Sequence, residues 1–211
     1  SKSPTPGRVK TRLLLPPETA ASLHAAFIRD AVERHRSKDF ETLLYRADTP
    51  EHPFWSTLEV PQKDQLGTSL GARMGACFND LLDDRDAVII IGTDSPNLPV
   101  DRIDKAFDAL VDNDVVLGPA CDGGYYLIGM SRFCPELFPG NMPWGYSDVF
   151  IRTLSILNAS PLRFKLLDFW YDVDRPSDLA LLCAHEDALK QTNNRPANHT
   201  LACIEKLGIR T

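Results

Sequence analysis

The sequence predicts an α/β fold with a mostly parallel central sheet and helices on both faces. Three observations carry this. Apolar segments of strand length alternate with longer segments of helical periodicity. The middle strand candidates, AVIIIG (87–92) and DVVLGPA (114–120), are continuous apolar runs, as expected of strands buried on both faces. Asp and Gly gather just after these runs, where sheets of this kind present their binding residues.

The elements follow in order. A basic opening, SKSPTPGRVKTRL, precedes a helix in PPETAASLHAAFIRDAVERHR. Pro17 suits a first turn, Glu18 there favours the helix dipole, and Leu23, Phe27, Ile28, Ala31 and Val32 repeat at helical spacing. FETLLYRA and LEVPQ read as short strands separated by a turn-rich stretch with Pro50 and Pro53. LGARMGACFNDLL is a helix with Met74, Cys77, Phe78 and Leu81 on one face. After the AVIIIG strand, VDRIDKAFDALVDN is a helix, and DVVLGPA and YYLIGM are strands. SDVFIRTLSIL is a helix capped by Ser147, RFKLLDFWYDV is a strand, and PSDLALLCAHEDALK is a helix opened by Pro176. A polar loop from Asn193 to Asn198 leads to a short helix through Leu207.

At 211 residues the chain suffices for one α/β domain, and no linker interrupts residues 1–211. Hydrophobic residues make up 43%, charged residues 25%, and the net charge is -6, the balance of an ordinary globular protein. It argues against nucleic-acid binding, which needs a broad basic face. No apolar run reaches membrane-span length, and no signal-peptide pattern opens the chain. The five cysteines, Cys77, Cys121, Cys134, Cys183 and Cys203, are scattered and odd in number. That pattern argues against structural zinc and a disulfide framework, and points to a reducing, cytoplasmic compartment. His24, His35 and His185 are expected on helix surfaces.

The chemistry gathers at strand ends. Asp94, in GTDSPNLP, follows a buried strand. A carboxylate there must be solvated, hydrogen-bonded or bound to a cation. Helix capping is the alternative, but Ser95 and Asp101 could serve that purpose. Asp122, Gly123 and Gly124 in CDGGYY would let the backbone approach a ligand, or form a plain hairpin turn. Asp172 and Asp174 lie at another strand end, where Asp174 could instead cap the helix at Pro176. Asp94 with one of these two would make an oxygen-rich site for Mg²⁺ or Mn²⁺, completed by phosphates and water. In the opening loop, Lys2, Arg8, Lys10 and Arg12 accompany a flexible Gly7. Lys10 and Arg12 lie two apart, so an extended segment would point both to one side, as a phosphate-binding lip. The spacing is not that of a Walker A loop, and a solvated basic tail is the alternative.

The segments PTPGRVKTRL, LGARM, GTDSPNLP, DGGYYLIG, Pro143–Trp144 and DVDRPSDL together resemble the DUF2064 family of GT-A-fold nucleotide-diphospho-sugar transferases, relatives of the molybdenum-cofactor and phospholactate nucleotidyltransferases. The sequence departs from the family at Ala72, where an acidic residue is expected, and begins at the basic loop without the family's first strand. The resemblance implies a single-domain, Rossmann-like GT-A fold that binds a nucleoside phosphate through Mg²⁺ or Mn²⁺. It would make Asp94 the metal-binding Asp, and Asp172 or Asp174 a second metal or acceptor contact. Lys2, Pro6, Gly7, Lys10 and Arg12 would hold phosphates. Gln62, at the end of a short strand, would contact base or ribose. Asp122, Gly123 and Gly124 would face the acceptor or sugar. Trp144 and Tyr146 would stack on a sugar ring or belong to the core.

Three activities follow from this. One is glycosyl transfer from an NDP-sugar to a small-molecule acceptor, with Asp94 and Lys10 at the phosphates and Asp122 as base. The second is nucleotidyl transfer from an NTP with release of pyrophosphate. The third is nucleotide binding without turnover.

Overall fold

The computed structural model describes residues 1–189 and 196–209. Six α-helices and six strands are present among them: α1 Pro17–Arg34, β1 Leu44–Arg46, β2 Gln62–Asp64, α2 Leu70–Leu81, β3 Val88–Ile91, α3 Asp101–Leu110, β4 Val115–Pro119, β5 Tyr125–Met130, α4 Val149–Ala159, β6 Phe164–Leu166, α5 Pro176–Leu189 and α6 Asn198–Lys206. The chain divides into two compact units. The first is Ser1–Asp64, Thr93–Val100 and Asp172–Thr211, and the second is Gln65–Gly92 and Asp101–Tyr171. None of the described helices is long and apolar enough to cross a membrane.

In the second unit, four strands pair in the order β3-β5-β4-β6. β4 runs parallel to β6, and β5 runs antiparallel to both β3 and β4. Three of the four strands therefore share one direction, and the sheet is mostly parallel as expected. β5 is reversed because Cys121–Gly124 is a hairpin turn: Ala120 donates to Gly124 O at 3.1 Å, and Gly123 donates to Ala120 O at 3.2 Å. Every residue of β4 is buried, and so is every residue of β5 after Tyr125. Successive side chains point to opposite faces, so both faces are covered. β3 differs from the expectation. Only Val88 is buried, and Ile89–Ile91 are half-exposed, because β3 is the edge strand of this sheet.

Ser69 caps α2 by accepting from Ala72 N at 3.2 Å. The predicted apolar face of Met74, Cys77, Phe78 and Leu81 is buried. Gly71 serves packing: a Cβ there would lie 2.3 Å from Trp144 Nε1. Trp144 also stacks on Phe138 and meets Tyr125 edge-on. Gly71 stands in the first turn of α2, where the missing side chain leaves room for the indole. On α3, Ile103, Ala106 and Leu110 are buried at spacings of three and four. Ser147 does not cap α4. The flanking residue is Asp148, whose carboxylate pairs with Arg152 at 2.7 Å, while Ser147 O lies where a Cβ on Gly123 would be. The predicted long strand at 163–173 shortens to β6, followed by a single bridge from Trp170 to Ala120.

In the first unit, α1 begins at Pro17 and buries Leu23, Phe27 and Ile28 completely. Ile28 joins Leu44, Phe54 and Trp55 in one cluster. β1 and β2 are parallel, Leu44 opposite Gln62. β2 starts at Gln62, so the predicted strand at 58–62 is displaced, and Gln62 opens it rather than ending it. Pro61 has no amide hydrogen for a ladder and sits just outside. Asp30 on α1 ties down α6: its carboxylate accepts from His199 N, Thr200 N and Thr200 Oγ1 at 2.6–2.9 Å. Of the predicted loop from Asn193 to Asn198, residues 193–195 lie outside the described residues, and Asn198 already begins α6.

His24 and His35 correct the expectation of surface histidines. They are 5% and 4% exposed. His24 lies on the buried face of α1, and His35 directly follows the helix as its C-cap. Burial, with Arg34 adding to it, pushes His35 down from 6.5 to about 4. The unfolded chain then binds the proton more readily than the folded one. Stability is full above pH 6.5 and falls as the pH drops toward about 4. The shift is worth about 3 kcal/mol at most. Urea unfolding followed across this range should show the loss, and His35→Leu should flatten the profile. Asp30→Ala removes three hydrogen bonds to one carboxylate and should cost about 3 kcal/mol in the same assay.

Candidate functional site

The basic loop is coiled, not extended. Arg8 N donates to Thr5 O at 3.1 Å, and Gly7 takes φ +74° at the turn. Val9 and Leu13 are buried and anchor the segment, whereas Lys2, Pro6, Gly7, Arg8 and Arg12 are exposed. A single 3₁₀ turn, Thr11–Leu13, is flanked by Lys10 and Leu14, both left-handed with φ 48° and 57°. Such geometry costs a non-glycine residue about 1–2 kcal/mol. The Lys10 side chain is buried, whereas that of Arg12 stays exposed. The extended segment expected there is a turn instead, yet both side chains approach Asp174, Lys10 from within and Arg12 from the surface.

Lys10 Nζ lies 2.5 Å from Asp94 Oδ1 and 3.0 Å from Asp174 Oδ1, and donates to Val173 O at 2.7 Å. The Lys10 side chain is 3% exposed, against 45% for Asp94 and 37% for Asp174. The Phe27 ring lies 5.0 Å below the ammonium. Burial works against the Lys10 charge, but Asp94 and Asp174 outweigh it and hold its pKa above 10.5. Burial likewise works against the Asp94 charge, but Lys10 outweighs it and holds Asp94 below 3.8. The pair stays charged between those limits. Its stabilisation is lost only below the carboxylate's range or above the ammonium's. Arg12 Nη1 reaches only 4.0 Å from Asp174.

Asp94 is positioned by its loop. Ser95 Oγ donates to Asp172 Oδ1 at 2.6 Å, Val173 N to Asp94 O at 2.8 Å, and Arg34 Nε to Pro96 O at 3.2 Å. Thr93 Oγ1 donates to Ser1 Oγ at 3.1 Å, and Asn97 Nδ2 meets His185 Nδ1 at 3.4 Å. Asp172 thus turns Oδ1 to the Asp94 loop. Asp174 does not cap α5. Asp178 reaches back instead, accepting from the amides of Asp174 and Arg175 at 3.1 and 2.8 Å, which leaves the Asp174 carboxylate for Lys10. No local pattern marks Ser95, Arg34 or the Val173 carbonyl for these roles, since their partners lie far away in the chain. Buried His24 was also missed: its Nε2 lies 3.1 Å from Lys2 O. Gln62 uses its amide to donate to Trp55 O at 2.8 Å.

The remaining candidates belong to the second unit. Asp122 is exposed, and its Oδ1 accepts from Gly124 N at 2.9 Å, closing the hairpin. Gly123 has φ +93°, and a Cβ there would be 2.0 Å from Ser147 O. Both features are turn requirements in their own right. Trp144 is half-buried in its aromatic cluster, whereas Tyr146 is 72% exposed.

Among the described residues no group of three His, Cys, Asp or Glu gathers as a metal cage. The oxygens of Asp94 and Asp174 suit a hard cation, and in this structure they surround an ammonium. They fit one cation at a time.

A crystal structure of a candidate nucleotide-diphospho-sugar transferase from Desulfovibrio desulfuricans is 30% identical, with a TM-score of 0.87 over 99% of this chain and 92% of that one. CMP:2-keto-3-deoxy-manno-octonic acid synthetase in complex with CTP shares the fold at 11% identity and a TM-score of 0.56, over 89% of this chain and 96% of that one. The manganese complex of Rv0371C from Mycobacterium tuberculosis does so at 14% identity and a TM-score of 0.50, over 84% of this chain and 93% of that one. No curated protein matches the chain in sequence. Residues 22–146, more than half of the chain, match the model of the family described as "Uncharacterized protein conserved in bacteria (DUF2064)", and the chain belongs to that family.

Proposed function

We propose that this protein is a transferase that takes a nucleotide-activated donor, an NDP-sugar, and passes its glycosyl group to a small-molecule acceptor. The observation that carries the reading is the 30% identity, over nearly the whole chain, to a candidate nucleotide-diphospho-sugar transferase. The Lys10–Asp94–Asp174 cluster beside a loop of exposed cations supports it.

In this reading Lys2, Arg8 and Arg12 meet the donor phosphates from the exposed loop, and Pro6 and Gly7 fix its turn. Lys10 stabilises the diphosphate as charge builds on the leaving oxygen. Asp94 and Asp174 orient Lys10 in the free protein and would hold Mg²⁺ or Mn²⁺ once Lys10 has turned to the phosphates, to which the bound metal supplies positive charge. Asp172 positions the Asp94 loop through Ser95 and is the further carboxylate that would hold the metal beside Asp94. Gln62 contacts the base or ribose with its carbonyl oxygen. On the acceptor side, Asp122 takes the hydroxyl proton, Gly123 and Gly124 keep the backbone open, and Trp144 offers an aromatic edge. Nucleotidyl transfer from an NTP is the second reading, favoured by the CTP-bound synthetase that shares the fold.

Thermal and chemical unfolding with NDP-sugars, NDPs and NTPs, each with Mg²⁺ and with EDTA, tests the reading. A donor at 100 times its Kd adds about 2.7 kcal/mol. Asp94→Asn should weaken donor binding at least tenfold, about 1.4 kcal/mol. Preference for one NDP-sugar supports glycosyl transfer. Preference for an NTP, with pyrophosphate released on turnover, replaces it with the second reading. Stabilisation by no nucleotide rejects both.

A further inference from the structure

The Lys10 ammonium has three N–H donors, and three oxygens receive them: Asp94 Oδ1 at 2.5 Å, Asp174 Oδ1 at 3.0 Å and Val173 O at 2.7 Å. Two carboxylate oxygens and a backbone carbonyl converging on one point are the donor set of a hard-cation site. Here the point is held by a side chain of the protein itself. That side chain is almost fully buried, with Phe27 closing the side below it. It is delivered by a residue in the left-handed region, flanking a turn anchored by buried Val9 and Leu13.

We infer that Lys10 is the resident cation of this site and competes directly with divalent metal for Asp94 and Asp174. Charge makes the two cations mutually exclusive. A divalent ion added beside the ammonium would put three positive charges on two carboxylates, with each cation repelling the other at contact distance. A divalent ion therefore enters only as the ammonium leaves. A polyphosphate is the chemical class able to draw the ammonium away, because it offers new anionic oxygens to the same three donors. The free protein is accordingly poor in metal, and its metal demand arises together with its donor. The roles of Asp94 and Asp174 rest on the proposed function, but the competition does not require turnover.

The test uses metal alone, without nucleotide, so that its failure is separate from failure of the transferase reading. Free Mn²⁺ is counted by electron paramagnetic resonance during titration of the full chain. Wild type should leave Mn²⁺ free at millimolar concentration. Lys10→Met should bind one equivalent at least tenfold more tightly, and adding Asp94→Asn should abolish that gain. Equal affinity in wild type and Lys10→Met overturns the inference, as does a gain that survives loss of Asp94. If Lys10→Met does not fold, wild type alone decides through the ¹⁵N resonance of the Lys10 ammonium. The resonance should shift only in step with occupancy of Asp94 by Mg²⁺ at high concentration, and Mg²⁺ bound at Asp94 with the Lys10 resonance unshifted overturns the inference.

Discussion

The first unit is organised around the buried Lys10 ammonium. Lys10 could not be sequestered without anionic partners, since an unpaired buried ion costs several kcal/mol. That requirement draws three distant parts of the sequence together: the opening loop, the segment after β3, and the segment before α5. The rest of the arrangement serves those three. Arg34 and Asp172 hold the Asp94 loop, and Asp178 accepts from the amides of Asp174 and Arg175 and so fixes the segment that carries the Asp174 carboxylate. The price is a strained backbone at Lys10, which the anchoring of Val9 and Leu13 sustains.

Much of this was legible in the sequence. Long amphipathic or densely apolar segments such as α1, α2, β4 and β5 announced themselves, because their periodicity is set by burial over many residues. Asp94 and Asp174 stood out as carboxylates at strand ends. The short strands were less visible. β1 and β2 have three residues each, too few for a period to register, and the proline before Gln62 moved the second strand along by several positions. The parity argument for Lys10 and Arg12 assumed an extended segment, whereas a turn flanked by left-handed residues brings both toward Asp174.

A different kind of illegibility concerns polar groups inside. His24, His35, Asp30 and Ser95 are ordinary surface types by composition, yet all are buried. What buries them is a partner found only in the folded chain: a carbonyl of Lys2 for His24, the α6 amides for Asp30, a carboxylate for Ser95. The hairpin at Asp122–Gly124 shows the converse. Its residues were conspicuous as candidates, and each also has a local reason to be there, since the turn needs a positive φ and the neighbouring Ser147 leaves no room for a side chain.

The contact between Gly71 and Trp144 has a consequence for how such sequences can vary. The space a side chain would need at position 71 is already filled by the indole. Neither position can therefore change alone in the direction of greater bulk. Drift at this spot must proceed in pairs, with the ring shrinking before or together with the growth of residue 71. Two residues 73 positions apart thus behave as one inherited character, and a chain carrying a larger residue at the first should carry a smaller one at the second.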